Sequence, residues 1–357
     1  MTLIELGWHP DFEQHFSSGP DNTRIPARVV RQDSQRYRLV SEPGEFTGII
    51  TGRMLHLSDS EEELPAVGDW VVIEPQSDGA TAIILDVLPR RSAFKRTVPS
   101  SRKGAARAQV VAANIDTLFL VHGLDDNFRL RRIERYVTLA WESGATPVVV
   151  LNKADLREDI DEVLVEVAGV SPGVDVHAVS ALDGDGIEPL RRYCTVGRTV
   201  GLTGSSGVGK STLINALLGE ARMRTTEVRT GDSRGRHTTT HRELVRLSDG
   251  GLLIDTPGMR ELALWSDGEG VSATFSDIET LAEQCRFRDC RHDSEPGCAV
   301  KAALESGELS AARLESYRKQ QREIAFLERR RDRSAALAEQ AKWKKISKIV
   351  RRYYKER

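Results

Sequence analysis

Apolar and polar positions alternate over short stretches in the first quarter of the chain, with turn residues between them. Alternation with a period of two predicts half-buried strands, and the intervening Gly, Pro and Asp residues predict tight turns. The predicted strands are Ala27–Arg31, Arg36–Val40, Phe46–Thr51, Arg53–Leu57, Trp70–Glu74 and Ala82–Leu88. Five or so strands in about 65 residues are typical of a small Greek-key barrel of the OB type, which often binds oligonucleotides. We therefore predict an OB-fold β-barrel over residues 24–90, after an N-terminal extension of residues 1–23.

The pattern changes from Val110, where continuous apolar runs alternate with segments of helical spacing. Continuous apolar runs predict the buried strands of a parallel sheet. These runs are Ile115–Val121, Thr146–Leu151, Val174–Val179, Thr199–Leu202 and Gly251–Ile254. The segment Leu130–Trp141 has the spacing of an amphipathic helix. We predict an α/β domain over residues 109–270, reached through a basic linker of residues 91–108, with its ligands at the carboxyl ends of the strands.

The composition is that of a globular protein of two to three domains, with 357 residues, 39% hydrophobic and 29% charged. No apolar run approaches the roughly 18 residues of a membrane span, and an acidic Glu5 stands where a signal peptide is basic. We therefore expect a cytoplasmic protein without a membrane partner. Residues 313–357 carry 16 Lys and Arg against 6 Asp and Glu. This basic tail suggests a polyanionic partner, although a solvated helical face has the same pattern.

A P-loop pattern follows the predicted strand Thr199–Leu202 and precedes an apolar helix over Thr212–Leu218. Its glycines allow backbone N–H groups to wrap the β-phosphate at the N-terminus of that helix. Lys210 is expected to neutralise the β- and γ-phosphates, and Ser211 to bind Mg²⁺. The nucleotide-binding residues predicted for this segment are Gly204, Ser205, Ser206, Gly207, Val208, Gly209, Lys210, Ser211 and Thr212.

An Asn-Lys-x-Asp motif, formed by Asn152, Lys153 and Asp155, predicts which nucleotide base the protein binds. Asp155 can accept from both the N1–H and the exocyclic amine of guanine, whereas adenine lacks that pattern. Lys153 would cover the ring and Asn152 would brace the loop. Ser180 and Ala181 resemble the short GTPase loop whose backbone N–H, here that of Ala181, meets the guanine oxygen. The Asn-Lys-x-Asp motif precedes the P-loop instead of following it, an order that indicates a circularly permuted GTPase.

Two further segments carry the predicted switch contacts. Asp255 begins an Asp-Thr-Pro-Gly motif and would hold Mg²⁺ through water, while the backbone N–H of Gly258 would sense the γ-phosphate. In the polar segment 224–240, Thr239 or Thr240 is expected to bind Mg²⁺ and the γ-phosphate. Both segments are therefore expected to respond to the presence of that phosphate.

The residue that orients the attacking water is not obvious from the sequence. Many GTPases place a glutamine after the Asp-Thr-Pro-Gly motif, but this chain has Met259, whose apolar side chain cannot orient water. His237 is the candidate catalytic residue, and a packing or RNA contact of this histidine is the alternative. Hydrolysis is then expected to be slow until a partner orders the loop.

Three of the four cysteines lie beside a histidine within residues 285–298. Three thiolates and one imidazole complete a tetrahedral Zn²⁺ site with no open position, which predicts a structural metal. The predicted ligands are Cys285, Cys290, His292 and Cys298. Cys194 stands apart and is expected to be a small, semi-buried hydrophobe. We predict a zinc-binding helical domain over residues 271–330, with a helix beginning near Ser310, and a basic helical tail over residues 331–357.

Together, the barrel, the permuted motif order, the P-loop, the Gly-Arg-His-Thr-Thr-Thr segment and the Cys-x4-Cys-x-His-x5-Cys cluster resemble the RsgA (YjeQ) family of small-subunit-dependent GTPases. The resemblance covers roughly residues 20–330. It implies a bacterial cytoplasmic factor that binds the small ribosomal subunit late in maturation and whose hydrolysis of GTP to GDP that subunit stimulates. It also implies that the barrel and the zinc domain contact ribosomal RNA, and that the family's catalytic histidine falls on His237.

Two other functions remain open from the sequence: a large-subunit assembly GTPase, and a GTP-switched RNA-binding or chaperone protein with little hydrolysis. We expect a monomer when the protein is free. The permuted order also joins the segment after Gly258 directly to the zinc domain. We therefore predict that loss of the γ-phosphate shifts the zinc domain relative to the GTPase core.

Overall fold

A computed structural model of the chain describes residues 1–19, 22–33, 36–57, 61–98, 107–126, 128–219, 243–255 and 269–329. The N-terminal strands are β1 (Ile25–Asp33), β2 (Arg36–Ser41), β3 (Gly44–Ile50), β4 (Trp70–Pro75) and β5 (Thr81–Val87). They follow the order β1-β2-β3-β5-β4, and β4 returns to pair with β1, with Arg28 opposite Trp70. This pairing closes the sheet on itself and confirms the predicted five-stranded barrel.

The N-terminal extension packs on the barrel through a short helix, α1 (Pro10–His15). Phe12 of this helix and Leu6 are buried in an apolar cluster with Trp70 of β4. The indole of Trp8 meets that of Trp70 edge-on, with ring centroids 4.7 Å apart. Aromatic contacts of this geometry add to the free energy gained by burial. The extension is therefore part of the folded body of the barrel.

The prediction of a strand over Arg53–Leu57 is wrong, because this segment forms the helix α2 (Gly52–Leu57). The Thr51 side chain caps it, since Thr51 Oγ1 accepts a hydrogen bond from the Met54 N–H at 3.1 Å. Met54 packs against the apolar core of the barrel. A short apolar run suits either element, and here the cap and the barrel surface favour the helix.

Residues 91–108, predicted as a basic linker, contribute to a two-stranded hairpin. Its strands are β6 (Ala93–Val98) and β7 (Arg107–Ala113), which pair antiparallel with Ala93 opposite Ala113. Phe94 is buried, whereas Lys95 lies toward the surface and pairs with Glu62 at 3.2 Å. This alternation of buried and exposed positions is typical of a strand. It is not evident in the sequence, because so many residues of the segment are basic.

The second part of the fold is the α/β domain. Its strands are β8 (Thr117–Gly123), β9 (Thr146–Asn152), β10 (Asp175–Val179), β11 (Thr199–Thr203), β12 (Glu243–Arg246) and β13 (Leu252–Asp255). Its helices are α3 (Leu130–Ser143), α4 (Ile160–Val170), α5 (Glu188–Arg191) and α6 (Lys210–Leu218). The strand order is β10-β9-β8-β11-β13-β12, and only β12 runs antiparallel to its neighbour among these six. Apolar clusters that include Ile133 of α3 on one face and Leu213 of α6 on the other bury this sheet.

The barrel and the α/β domain are joined by hydrogen bonds. Arg31 of β1 pairs with Glu243 of β12, so the two sheets are continuous. The buried guanidinium of Arg28 donates to the Gly68 carbonyl at 3.3 Å, the Asn114 carbonyl at 3.0 Å and Thr199 Oγ1 at 2.8 Å. Burial lowers the pKa of Arg28 to about 10, so the group remains charged at neutral pH. One side chain thus ties the barrel to the strand that leads into the P-loop.

The C-terminal part is helical, as predicted. It consists of α7 (Glu269–Thr274), α8 (Ser276–Glu283), α9 (Ala299–Ser306) and a long helix over residues 311–329, here α10. Phe275 packs against Tyr317 of α10, with ring centroids 5.4 Å apart. None of the helices within the described ranges has the length and apolar character needed to cross a membrane.

Candidate nucleotide-binding and metal sites

The P-loop leaves β11 at Gly204 and ends at α6. Gly204, Gly207 and Gly209 have φ angles of 151°, 77° and 90°, the left-handed region that favours glycine. A Cβ on Gly209 would lie 2.2 Å from Asn152 Nδ2, so a side chain there would displace the neighbouring loop. Lys210 Nζ donates to the carbonyls of Gly204 at 2.8 Å and Ser205 at 2.6 Å. The lysine is therefore held over the loop that would wrap the phosphates.

Asn152 connects the three predicted nucleotide loops. This buried side chain ends β9, and its Nδ2 donates to the Val208 carbonyl of the P-loop at 2.8 Å. Its Oδ1 accepts a hydrogen bond from the Ala181 N–H at 3.0 Å. A buried amide needs such partners on both of its polar atoms. The structure thus brings together motifs that lie 29 and 56 residues apart in the chain.

The loop that contains Ala181 is held in place by hydrogen bonds. The Ala181 N–H, which the sequence predicts to meet the guanine oxygen, donates to Asn152 Oδ1 in this structure. Ser180 is buried beside it, and its Oγ donates to Asp183 Oδ2 at 2.8 Å, which closes the following turn. The loop is therefore ordered by its own side chains and by Asn152.

Lys153 and Asp155 lie on the outer side of this loop cluster. Lys153 has a left-handed backbone conformation with φ 64°, and its ammonium pairs with Asp125 Oδ2 at 2.7 Å. Asp155 is exposed in a 3-10 helix, Ala154–Leu156, and lines a cavity of about 260 Å³ together with Ser180. The cavity lies between the two loops that were predicted to recognise guanine.

Several predicted residues occupy the edges of this site, and others lie outside the described residues. Ser206 is exposed, while Ser211 and Thr212 are half-buried in the first turn of α6. Asp255 ends β13, the strand beside β11, so it reaches the same edge of the sheet as Gly204. The candidates outside the described residues are His237, Thr239, Thr240, Gly258 and Met259.

Sequence reasoning missed three residues near the P-loop. Asp125, which follows β8, pairs with Lys153. Arg132 Nη1 on α3 donates to Ser205 Oγ at 3.2 Å. His122, near the end of β8, is buried, and within the described part of the chain its Nε2 has no hydrogen-bond partner. Asp125 could have been found, because it follows the strand beside β9, whereas no local pattern marks Arg132 or His122.

The cysteine cluster is assembled in the C-terminal part. Its ligand atoms, from Cys285, Cys290, His292 and Cys298, all lie within 4.8 Å of one another. The Sγ atoms of Cys285 and Cys298 are 3.9 Å apart, and His292 Nδ1 lies 3.6 Å and 3.5 Å from them. Ligand distances of about 2.3 Å for sulfur and 2.0 Å for nitrogen in a tetrahedron require a sulfur–sulfur separation of about 3.8 Å and a sulfur–nitrogen separation of about 3.5 Å. The cluster could therefore hold a metal ion.

Cys194 does not belong to this cluster. The thiol is buried, and burial raises its pKa to about 12, so it stays protonated at neutral pH. A thiol of this kind packs as a small apolar group and is a poor nucleophile or ligand.

Comparison with known proteins gives the family. A family model described as RsgA GTPase matches residues 87–265. The small ribosomal subunit biogenesis GTPase RsgA of Opitutus terrae is 48% identical over 355 residues, which cover 97% of this chain and 96% of the relative. This chain belongs to the RsgA GTPase family. The RsgA of Syntrophotalea carbinolica, with the same described role, is 43% identical over all of this chain and 99% of its own length.

Solved structures agree with this membership of the RsgA GTPase family. The crystal structure of YjeQ from Thermotoga maritima has a TM-score of 0.62 at 27% identity and covers 83% of this chain and 97% of its own. YloQ, described as a circularly permuted GTPase, has a TM-score of 0.60 and covers 89% of this chain and 99% of its own, and at 24% identity it supports the fold alone. The protein is therefore a GTP hydrolase with a circularly permuted GTPase domain, as the motif order indicated.

Proposed function

We propose that this protein binds the small ribosomal subunit late in its maturation, and that the subunit stimulates its hydrolysis of GTP to GDP and phosphate. The observation that carries the proposal is the similarity to relatives described as small ribosomal subunit biogenesis GTPases, two of which are 48% and 43% identical over nearly the whole chain. The protein would act in the cytoplasm as a monomer when free. The six-part division of the chain, from the extension of residues 1–23 to the basic tail of residues 331–357, belongs to this proposal.

The proposed nucleotide site uses the three loops that Asn152 joins. Glycines of the P-loop and Lys210 would hold the phosphates, and Asp155 would select guanine at the cavity that it lines with Ser180. The closeness of these loops supports the proposal, because residues distant in sequence meet at the carboxyl edge of one sheet. The remaining proposed nucleotide ligands are Lys153, Ala181, Ser205, Ser206, Val208, Ser211 and Thr212.

Magnesium and the switch residues complete the proposed site. Ser211 would bind Mg²⁺ directly and Asp255 through water, with Thr239 or Thr240 as a further ligand and the Gly258 N–H at the γ-phosphate. Ser211 begins α6 directly after Lys210, a position that supports this role. His237 is the proposed catalytic residue, because Met259 cannot orient a water molecule.

Zinc is the proposed metal of the Cys3His cluster. Three sulfur ligands and one nitrogen ligand suit Zn²⁺, and their spacing fits a closed tetrahedron. A closed site has no position for substrate, so its proposed role is to hold the loop between α8 and α9. Arg318 of α10 supports that loop by donating to the His292 carbonyl at 2.8 Å.

The same loop offers a surface for ribosomal RNA. Phe287 is 41% exposed, and the Arg286 guanidinium lies 5.5 Å from the centre of its ring. Arg288 and Arg291 are exposed nearby. Exposed aromatic and cationic side chains together suit unstacked bases and phosphates. We propose this loop and the barrel as the RNA-contacting surfaces.

The decisive experiment is phosphate release from GTP with small subunits, with large subunits and with neither. We expect strong stimulation by small subunits alone. Stimulation by large subunits would identify a large-subunit factor, and no stimulation by either would leave a GTP-switched RNA-binding protein.

Guanine selection by Asp155 has its own test. We expect Asp155→Asn to weaken GTP binding and to improve the binding of xanthosine triphosphate, because the amide donates where the carboxylate accepts. The control is Asp161→Asn on α4, an acidic residue outside the proposed site. Unchanged GTP affinity of Asp155→Asn would refute this assignment.

A further inference from the structure

We propose that Arg132 of α3 acts in cis as a charge-stabilising residue for γ-phosphoryl transfer. The proposal rests on the proposed function, in which the P-loop holds the phosphates of GTP. It adds a contact that the nucleotide motifs do not include, from a helix that connects the GTPase sheet with the C-terminal helices.

Two cationic side chains, those of Arg132 and Lys210, donate hydrogen bonds to Ser205 of the P-loop. Arg132 Nη1 donates to the Ser205 hydroxyl at 3.2 Å, and Lys210 Nζ donates to the Ser205 carbonyl at 2.6 Å. Arg132 is half-buried in the first turn of α3. Ser205 is followed directly by Ser206 and Gly207, the exposed part of the loop. A guanidinium beside this segment therefore lies next to the path of the phosphates.

The surroundings of Arg132 favour an anion. Tyr136, one turn along α3, meets the ring of His122 edge-on with centroids 5.6 Å apart. Burial, together with the nearby charges of Arg132 and Lys210, lowers the pKa of His122 to about 3. The imidazole is therefore neutral at physiological pH, and the positive field of the two cations reaches a partly buried region. Charge interactions are stronger there than in bulk water.

The chemistry of hydrolysis calls for such a group. The water oxygen bonds to the γ-phosphorus and releases one proton, the bond from phosphorus to the bridging oxygen breaks, and GDP leaves with negative charge on that oxygen. In GTPases, an arginine that approaches the phosphates stabilises this charge. Met259 replaces the water-orienting glutamine in this chain, so the charge contributed by an arginine gains importance.

The position of α3 depends on the C-terminal helix. Arg131 donates to the Ala312 carbonyl, and Arg135 forms two hydrogen bonds with the Glu323 carboxylate, at 2.6 Å and 2.8 Å. Both arginines lie on the same helix as Arg132. A partner that binds the C-terminal side and shifts α10 would therefore change the distance from Arg132 to the phosphates. This links the proposed residue to stimulation by the subunit.

The test uses the full-length protein with Mg²⁺ and GTP under single-turnover conditions, with and without small subunits. The variants are Arg132→Ala and Arg132→Lys, with Arg129→Ala as the matched control and Lys210→Ala as the reference for the P-loop. Arg129 is exposed three residues away and donates to carbonyls of its own loop. GDP affinity and the binding of GDP with aluminium fluoride, a mimic of the transferring phosphoryl group, are measured on each variant.

We expect Arg132→Ala to lower the hydrolysis rate roughly a hundredfold and to abolish the aluminium fluoride complex, with GDP affinity within about twofold. Arg132→Lys should recover part of the rate, because an ammonium carries the charge without the planar fork. Added guanidinium ion should partly rescue Arg132→Ala, an effect that a purely structural role would not produce.

Three results would overturn the proposal. Hydrolysis by Arg132→Ala within about twofold of the unaltered protein, with Lys210→Ala inactive, would exclude the arginine and leave the proposed function intact. An equal loss of GTP and GDP affinity would show that Arg132 only shapes the P-loop. Full activity of Lys210→Ala would refute the phosphate assignment itself, and this proposal with it.

Discussion

Arg313 of α10 forms a buried ion pair with Glu134 of α3, with Nη1 and Oε1 2.9 Å apart and side chains that are 5% and 2% exposed. The same guanidinium donates to both carboxylate oxygens of Asp277, at 2.9 Å and 2.8 Å. Ser316 Oγ donates to the other oxygen of Glu134 at 2.5 Å. A buried pair with these additional hydrogen bonds locks the C-terminal helices onto the GTPase domain.

We predict that Arg313→Ala lowers the free energy of unfolding by about 3 to 5 kcal/mol, because it leaves the Glu134 carboxylate buried without its cation. Urea unfolding followed by tryptophan fluorescence measures the change. The control is Arg38→Ala, which removes an exposed pair with Glu45 and should cost less than about 1 kcal/mol. Equal effects of the two variants would contradict the role of the buried pair.

Asn152 is predicted to hold the nucleotide loops together in the free and the nucleotide-bound protein. Asn152→Ala removes the partners of the Val208 carbonyl and the Ala181 N–H, and each buried unpaired group costs about 1 to 3 kcal/mol. We expect affinity for GTP and for GDP to fall by a similar factor of roughly ten or more. Titration with fluorescent nucleotides provides the measurement.

The control for this prediction is Asn22→Ala, an exposed asparagine in the N-terminal extension. It should leave both affinities unchanged. A loss confined to GTP in Asn152→Ala would mean that the residue acts at the γ-phosphate, and no loss would mean that the loops hold their positions without it.

The lowered pKa of the buried His122 side chain leads us to expect that the free energy of unfolding depends on pH. Burial is the main cause that lowers its pKa to about 3 from an ordinary value of 6.5. The unfolded chain therefore binds a proton below about pH 6.5 that the folded protein does not bind, so stability is retained above that pH and falls as the pH drops toward 3. By pH 4 the loss from this one group amounts to roughly 3 kcal/mol.

Replacing the imidazole should remove that part of the pH dependence. We expect the unfolding free energy of His122→Leu to decline less steeply between pH 6.5 and 4 than that of the unaltered protein. His15→Leu is the control, since that histidine is exposed. Parallel pH profiles for His122→Leu and the unaltered protein would show that His122 titrates normally.

The predictions that succeeded depend on local patterns. The run Thr146–Leu151 predicted β9, and the glycine spacing of the P-loop predicted the turn before α6, since both are set by neighbours in sequence. Contacts between distant residues left no such pattern. The pairing of Arg31 with Glu243 and the hydrogen bond from Arg28 to Thr199 depend on how the domains dock. The sequence identifies the site by its motifs, but the residues that support it are set by packing.

Zinc binding is predicted to require the complete cluster. Metal analysis of the purified protein should find one zinc per chain, and cobalt in its place should give the absorption of a tetrahedral thiolate site. Cys298→Ser should lose the metal and lower the unfolding free energy, because this residue is buried at the start of α9. Cys194→Ala, which changes a cysteine outside the cluster, should retain the zinc. Retention of zinc by Cys298→Ser would remove that residue from the ligand set.

The buried pair of Arg313 and Glu134 also sharpens the predicted coupling between nucleotide and zinc domain. Because α10 is locked to α3, any shift caused by loss of the γ-phosphate must either carry α3 along or break the pair. We predict that the distance between labels at Val165 of α4 and Phe326 of α10, both exposed, differs between the complexes with a GTP analogue and with GDP.

Labels introduced through an unnatural amino acid spare the zinc thiols, and a second pair at Val165 and Leu182, both exposed within the GTPase domain, is the control. Pulsed electron spin resonance should show a change in the first distance and none in the second. In Arg313→Ala the distribution of the first distance should broaden in both nucleotide states, because the ion pair with Glu134 no longer fixes α10 relative to α3. Identical distances with both nucleotides, free and on the small subunit, would mean that hydrolysis is not transmitted through this interface.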